Sequence, residues 1–353
     1  MRVRKKNIKG LTEAELREVL TSLGVEKYRA RQIMEWIYAR GAGDFSAMTN
    51  LAKPLREKLS EHLYIAQLRE VTRQISHKDG TVKFLFALED GQTVETVLLR
   101  HDYGHSVCVS TQVGCAMGCS FCASGLGGLV RNLTAGEIID QVLAVQNYLK
   151  QEDQRVSSVV IMGSGEPLTN YDNVLRFMAL LHWPYGLNIG YRNMTVSTAG
   201  VVPGIDRLSM ENLPITLSIS LHAPHDQLRS ALMPVNHTYP IAVLLAACDR
   251  YTARTNRRIT YEYSLIAGVN DRAEHARQLA NLLAGRLCHV NLILVNAVVE
   301  RGYEPPAAER VGKFQDILKR RGIETTVRKE MGGDIDAACG QLRRRILSAE
   351  ANH

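Results

Sequence analysis

Apolar positions in the first sixty residues recur at helical spacing. In LTEAELREVLTSLG (11–24), Leu16, Val19, Leu20 and Leu23 form one stripe. Thr12 and Glu15 make a capping box, in which each side chain satisfies an N–H that the first helical turn leaves open, and Gly24 marks the end. YRARQIMEWIYARG (28–41) repeats the pattern, with Ile33, Trp36 and Ile37 on a core face and Arg29, Arg31 and Arg40 outside. A third helix is predicted over 52–63.

The period then changes. VKFLFALEDGQTVETVLL (82–99) holds two β-rich runs around Asp90-Gly91, a hairpin turn signal. From about 105 onward, strand-like runs alternate with helical ones. Strands are predicted at 105–111, 157–163, 193–198, 215–222, 258–266 and 289–297. Helices are predicted from Thr134, with a second capping box to Glu137, and at 171–181, 240–253, 271–284 and 307–320. Six β/α units predict an α/β fold with a parallel barrel or part of one. Three regions are expected: a basic helical region (1–70), a small β extension (71–104) and the barrel core (105–345). No internal repeat and no low-complexity tract is present.

Glycine-rich and polar signals fall after the predicted strands. GCAMGCSFC follows the first, GSGEP (163–167) the second and STAG (197–200) the third; SLH (220–222) ends the fourth and Asn296 the sixth. Sites in parallel barrels lie at the C-terminal ends of strands, so these signals predict one shared pocket.

The densest chemistry is Cys115, Cys119 and Cys122, spaced C-x3-C-x2-C. Buried apolar thiols, a disulfide pair, a zinc site and an iron–sulfur cluster are the alternatives. Structural zinc takes four ligands, and the nearest extra candidates, His105 and Cys108, precede the triplet on a predicted strand. Three cysteines on a cubane cluster leave one iron open to a ligand. The N-terminus, MRVRKKNIKG, has no apolar stretch behind it, and no apolar run nears the ~20 residues of a membrane helix. A cytoplasmic protein with reduced thiols is therefore expected, and a stable disulfide is not. Lys plus Arg exceeds Asp plus Glu by 43 to 36, giving +7. Five basic residues lie within 1–10, and Arg343, Arg344 and Arg345 form a second run. Each run suits a nucleic-acid partner or a solvated terminus.

The cysteine spacing, with Phe121 before the last thiol, resembles the radical S-adenosylmethionine (SAM) enzymes. The runs CVSTQVGCAMGCSFCAS, MGSGEPL, VSTAGVVP, SLHAPHDQLRSALMPVN, VNDRAEHA and DIDAACGQL resemble, in order and from about 12 to 345, the RlmN/Cfr family of radical SAM RNA methyltransferases. Within it the likeness is strongest to enzymes that methylate adenine carbon 2 in 23S rRNA and tRNA; carbon-8 methylation, which confers antibiotic resistance, is the alternative. The resemblance implies a partial (β/α)6 radical SAM barrel with a small N-terminal helical domain and a β-hairpin extension. It implies a [4Fe–4S] cluster on Cys115, Cys119 and Cys122, and two SAM molecules per turnover. Gly165, Glu166, Ser197, Ser220, Leu221, His222 and Asn296 match SAM-contacting positions.

Two further cysteines match catalytic positions. Cys339 matches the methyl carrier, whose S-methyl group becomes the radical that adds to adenine. Cys108 matches the resolving thiol, which takes the carbon-2 proton and forms a transient disulfide with Cys339. Glu95 matches the family's proton acceptor, a role that overlaps with that of Cys108. On residue type alone, Glu95 reads as a solvated hairpin carboxylate, Cys108 as a buried apolar residue and His222 as a satisfied structural histidine. Cys248 and Cys288 match no functional position and read as structural. The chain departs from the family at Ser164, where methionine is usual, and at Ala199, where serine is common. An electron donor such as flavodoxin or ferredoxin is implied, no membrane partner is, and a monomer is expected. Arg29, Arg31 and the basic tail are the candidate RNA grip.

Overall fold

The structure is a computed structural model that describes residues 5–295, 302–335 and Leu342. Strand β1 (Lys6–Asn7) leads into helices α1 (Glu13–Ser22), α2 (Arg29–Tyr38) and α3 (Lys53–His62), and β2 (Leu63–Tyr64) pairs back in parallel with β1. The Thr12–Glu15 capping box forms as predicted. Helix α2 buries Ile33, Met34 and Ile37. The helical region is held to the core by a buried ion pair, Lys9 Nζ to Asp140 Oδ1. Beside it, Gly10 (φ +93°) passes so close to Gly136 that a Cβ at Gly10 would lie 2.6 Å from the Gly136 nitrogen.

The next strands are β3 (Arg69–Ile75), β4 (Val82–Ala87), β5 (Thr93–His101) and β6 (Gly104–Cys108), followed by a small hairpin of β7 (Gln112–Gly114) and β8 (Leu129–Asn132). Helix α4 (Ala135–Lys150) and β9 (Val156–Ile161) follow, then α5 (Tyr171–His182), β10 (Met194–Thr198), α6 (Val202–Met210), β11 (Thr216–Ser220) and α7 (Asp226–Leu232). The core ends with α8 (Ile241–Thr255), β12 (Ile259–Leu265), α9 (Ala273–Leu283), β13 (Cys288–Leu294), α10 (Ala308–Arg320) and β14 (Thr325–Val327).

One ten-stranded sheet runs β14-β13-β12-β11-β10-β9-β6-β5-β4-β3. The six predicted core strands, β6 and β9 to β13, are all parallel, and β14 adds a seventh. β14 and β3 lie at opposite ends of the sheet, so the barrel is open. The predicted hairpin is part of this sheet, because β5 pairs antiparallel with β6 and sets Val97 opposite Cys108. Strand side chains alternate between two faces. Val107, Val159, Val196, Leu217 and Tyr261 pack in the main hydrophobic core. The other face, lining the lumen, carries Cys108, Ser197, Ser218, Ser220, Glu262 and Ser264. Most of the strand ends that carry the predicted pocket signals therefore open into one space.

Candidate active site

The cysteine loop leaves β7 and is drawn back onto β8 by a hydrogen bond from Cys115 N–H to Gly128 O (3.0 Å). Ser120 N–H reaches Leu232 O at the end of α7 (2.9 Å), and the Tyr303 hydroxyl donates to Ser120 Oγ (3.2 Å). Cys115, Cys119 and Cys122 thereby join Gly165, Glu166, Ser197, Ser220 and His222 around one cavity of about 280 Å³. Burial pushes the Cys115 thiol up to about 11 and the Cys119 thiol to about 12, with the neighbouring thiols adding to it. Such thiols keep their protons until a metal displaces them. Among the described residues, no three His, Cys, Asp or Glu side chains are grouped to hold a single metal ion. That disfavours zinc. A cubane cluster, in which each thiol meets its own iron, fits three soft ligands on one cavity wall.

Close packing explains the glycines of GSGEP. Gly165 has φ +108°, and a Cβ there would sit 2.6 Å from Gln112 Cβ; one at Gly163 would sit 2.6 Å from Val109 O. The Glu166 carboxylate is turned into the scaffold. It accepts from Leu168 N–H (3.0 Å), the Thr198 hydroxyl (2.7 Å) and Ala199 N–H (2.7 Å). Burial raises its pKa, and those three donors oppose the rise. The residue thus lashes the end of β9 to the end of β10. Ser164 links the same loop to the cysteine loop through Ser124 Oγ (3.1 Å).

His222 has an unusual left-handed backbone (φ +55°). Its Nδ1 accepts from Ser264 N–H (2.9 Å), which puts the ring proton on Nε2, and Phe121 meets the ring edge-on at 4.8 Å. Burial drives its pKa down to about 3, so the ring is neutral at physiological pH. Leu221 is fully buried and is not part of the cavity wall; its N–H bonds Glu262 O (3.1 Å). Behind that wall lies Arg229, fully buried on α7. It donates to Ala199 O (2.7 Å), Ser220 O (3.2 Å), Leu221 O (3.3 Å) and Asn236 Oδ1 (2.9 Å).

Cys108 lies on the lumen face of β6, packed among Val97, Leu99, Val160, Met162 and Met331. Met162 also lines the cavity, so one side chain joins the two places. Glu95 is not the solvated carboxylate that its hairpin position suggested. It is 5% exposed and pairs at 3.0 Å with Lys83, which is fully buried on β4. The sheet covers one face of the hairpin and the core the other, so a turn signal says nothing of this burial. By register Glu95 stands two residues before Val97, the partner of Cys108, on the same face.

The N-terminal part of the chain, residues 6–65, matches the ribosomal RNA large subunit methyltransferase N-terminal domain, and residues 109–280 match the radical SAM superfamily. A protein of Symbiobacterium thermophilum named "probable dual-specificity RNA methyltransferase RlmN" is 56% identical over 337 residues, 95% of this chain and 91% of that one. One of the same name from Staphylococcus carnosus is 52% identical, over 98% of this chain and 95% of its own. The chain belongs to the RlmN family. The crystal structure of a radical SAM methyltransferase from Sphaerobacter thermophilus superposes with a TM-score of 0.92 at 49% identity, covering 95% of this chain and 98% of that one.

As an RlmN-family protein the chain uses a [4Fe–4S] cluster and SAM. Asn296 and Cys339, two residues expected at the site, lie outside the described residues. Cys248 is buried in α8 beside Tyr261, with its pKa raised to about 12 by burial, in keeping with a structural thiol. Lys83, Glu262 and Arg328 were missed by the sequence reading. Glu262 and Arg328 line the cavity, and Asn291 donates to the Glu262 carboxylate (2.8 Å). Lys83 and Glu262 shared one legible signal, a charge inside an otherwise apolar strand (VKFLFA, ITYEYSL), where an ion is seldom buried without a partner.

Proposed function

We propose that this protein is a radical SAM methyltransferase that installs a methyl group on carbon 2 of an adenosine in the peptidyl transferase region of 23S rRNA. An adenosine next to the tRNA anticodon is its second target. Carbon 2 lies between two ring nitrogens and is too electron-poor to attack the SAM methyl group as a nucleophile. A carbon radical can add to it, and the cluster with SAM, when bound, supplies that one-electron chemistry.

The chain's own residues do the rest. Cys115, Cys119 and Cys122 hold the cluster and leave one iron for SAM. Main-chain groups of Gly165 and Glu166, with Ser197, Ser220, Asn296 and the Nε2–H of His222, are the polar contacts for SAM. Cys339 carries the methyl group to adenine and is for a time covalently joined to the RNA. Cys108 releases it by forming a disulfide, with Glu95 beside it to handle the carbon-2 proton. The observation that carries this reading is Cys108 on the lumen face, one side chain from the three-cysteine cavity. A radical SAM enzyme without a thiol carrier has no use for a fourth thiol there.

Arg29 stacks on the exposed Tyr28 ring at 4.7 Å, and Arg31 on Tyr185 at 4.4 Å. Paired guanidinium and aromatic groups on a surface suit RNA phosphates and bases. Among the described residues no helix is long and apolar enough to cross a membrane. We read the enzyme as a cytoplasmic monomer supplied with electrons by flavodoxin or ferredoxin.

The test uses anaerobically reconstituted protein, SAM with a deuterated methyl group and a 23S rRNA fragment. Nucleoside mass spectrometry is run against 2-methyladenosine and 8-methyladenosine standards. 2-Methyladenosine lacking one methyl deuterium supports both site and route. 8-Methyladenosine makes the protein a resistance enzyme. Cleavage of SAM with neither product overturns the RNA assignment.

A further inference from the structure

The open sheet is bridged by the chain that follows β14. Arg328 N–H bonds Leu292 O on β13 (2.8 Å), and from there the segment crosses toward the opposite edge of the sheet. Met331 packs into the cluster of Val97, Leu99 and Cys108. Gly332 N–H then donates to Asp79 Oδ2 (2.8 Å). Asp334 accepts from the Ser76 hydroxyl (2.6 Å) and from His77 N–H (2.8 Å). Ser76, His77 and Asp79 all belong to the turn between β3 and β4. That turn is itself braced: Ser76 N–H bonds Thr81 O (2.8 Å), and Thr81 N–H bonds Asp79 Oδ1 (2.9 Å). Burial works against the Asp79 charge, but the N–H groups of Gly332 and Thr81 outweigh it and its pKa falls to about 2. The Ser76 hydroxyl holds Asp334 below the usual range as well. Both carboxylates are therefore charged acceptors throughout the physiological range, the stronger kind.

We propose that the β3–β4 turn is a mooring, in which Asp79 and Ser76 act through Gly332 and Asp334 as positioning residues for the catalytic thiol Cys339. This rests on the reading of Cys108 and Cys339 as a working pair. The argument is one of chain length. Cys339 is four residues beyond Ile335 but twelve beyond Val327, the last residue of β14. Moored at Asp334, its thiol is confined to roughly 14 Å from Ile335; released to β14, the same chain could roam roughly 40 Å. Effective concentration falls about as the −3/2 power of tether length, so release dilutes the Cys339 thiol at Cys108 about fivefold.

The experiment reads that concentration without turnover. Full-length, cluster-loaded protein is equilibrated anaerobically in buffers of reduced and oxidised glutathione. In each exchange the two thiols give up two electrons and two protons, and glutathione disulfide becomes two glutathiones. After acid quench and alkylation, peptide mass spectrometry gives the fraction of Cys108–Cys339 disulfide. The Asp79→Ala/Asp334→Ala protein should show an equilibrium constant about fivefold below wild type. Asp334→Ala alone, at an exposed position that leaves the core intact, should shift the same way. Glu57→Ala, on the remote face of α3, should not. Equal constants in wild type and both Asp variants would overturn the mooring while leaving the thiol pair standing. Absence of the disulfide in wild type at every glutathione ratio would overturn the pair itself, and the mooring with it.

Discussion

Replacing Lys83 by Met tests how the lumen tolerates charge. Lys83 is fully buried and Glu95 nearly so, and they meet at 3.0 Å. Removing the cation strands a carboxylate in a place water does not reach. Breaking such a pair costs about 3–5 kcal/mol, a large share of the roughly 5–15 kcal/mol that holds a domain folded. Replacing both partners with apolar residues of similar volume removes the stranded charge, so Lys83→Met/Glu95→Leu should recover most of the loss. The assay is anaerobic urea unfolding followed by far-UV circular dichroism on wild type, both single variants and the double, closed as a double-mutant cycle. RNA methylation is measured in parallel. Recovered stability with methylation still absent in the double variant would show that Glu95 does chemistry as well as packing. A loss under about 1 kcal/mol for Lys83→Met would refute the burial argument. A double variant as unstable as Lys83→Met would refute the stranded charge as its cause.

Gly165→Ala should cost more than about 2 kcal/mol and abolish SAM binding in equilibrium dialysis, since its Cβ meets Gln112 at 2.6 Å on a backbone that L-residues avoid; normal SAM affinity would contradict it. His222 has a folded pKa near 3 against about 6.5 unfolded, so below pH 6.5 the unfolded chain binds the extra proton. Its contribution to stability is therefore complete above pH 6.5 and is lost at about 1.4 kcal/mol per pH unit as pH falls toward 3. His222→Asn, which keeps an acceptor and tolerates the left-handed backbone, should flatten that slope in urea titrations between pH 5 and 7. Ser124→Ala removes one buried hydroxyl bond to Ser164 and should cost about 1 kcal/mol by denaturant unfolding, without lowering the iron content of the purified protein.

What could be read from the chain was mostly local. The capping boxes at Thr12–Glu15 and Thr134–Glu137 need only four residues each, and both form. The six core strands announced themselves as apolar runs, and the cysteine triplet by its spacing. β3 did not, because REVTRQI is largely exposed and shows no apolar alternation. β14 is three residues long, which no periodicity can detect. α6 begins with Pro203 and Gly204, both breakers in isolation; here the proline sits in the first turn, and a Cβ at Gly204 would lie 2.6 Å from Leu168 Cβ. Glu95 was misplaced for a different reason. Its burial depends on β6 and β4 arriving on either side, and no stretch of VETVLL reports that. The charges on Lys83 and Glu262 were visible, but their partners are distant in sequence.

Arg229 spends its guanidinium on the carbonyls of Ala199, Ser220 and Leu221, where β10 and β11 end. Loop ends left to themselves would have to be ordered each time a ligand arrived, and that ordering is charged against affinity. Here the ordering is done once, when the chain folds, by a cation the ligand never touches. For an enzyme of this family, whose SAM site must fill and empty within each cycle, the benefit is in traffic. Binding need not be bought with a conformational change, and release need not undo one.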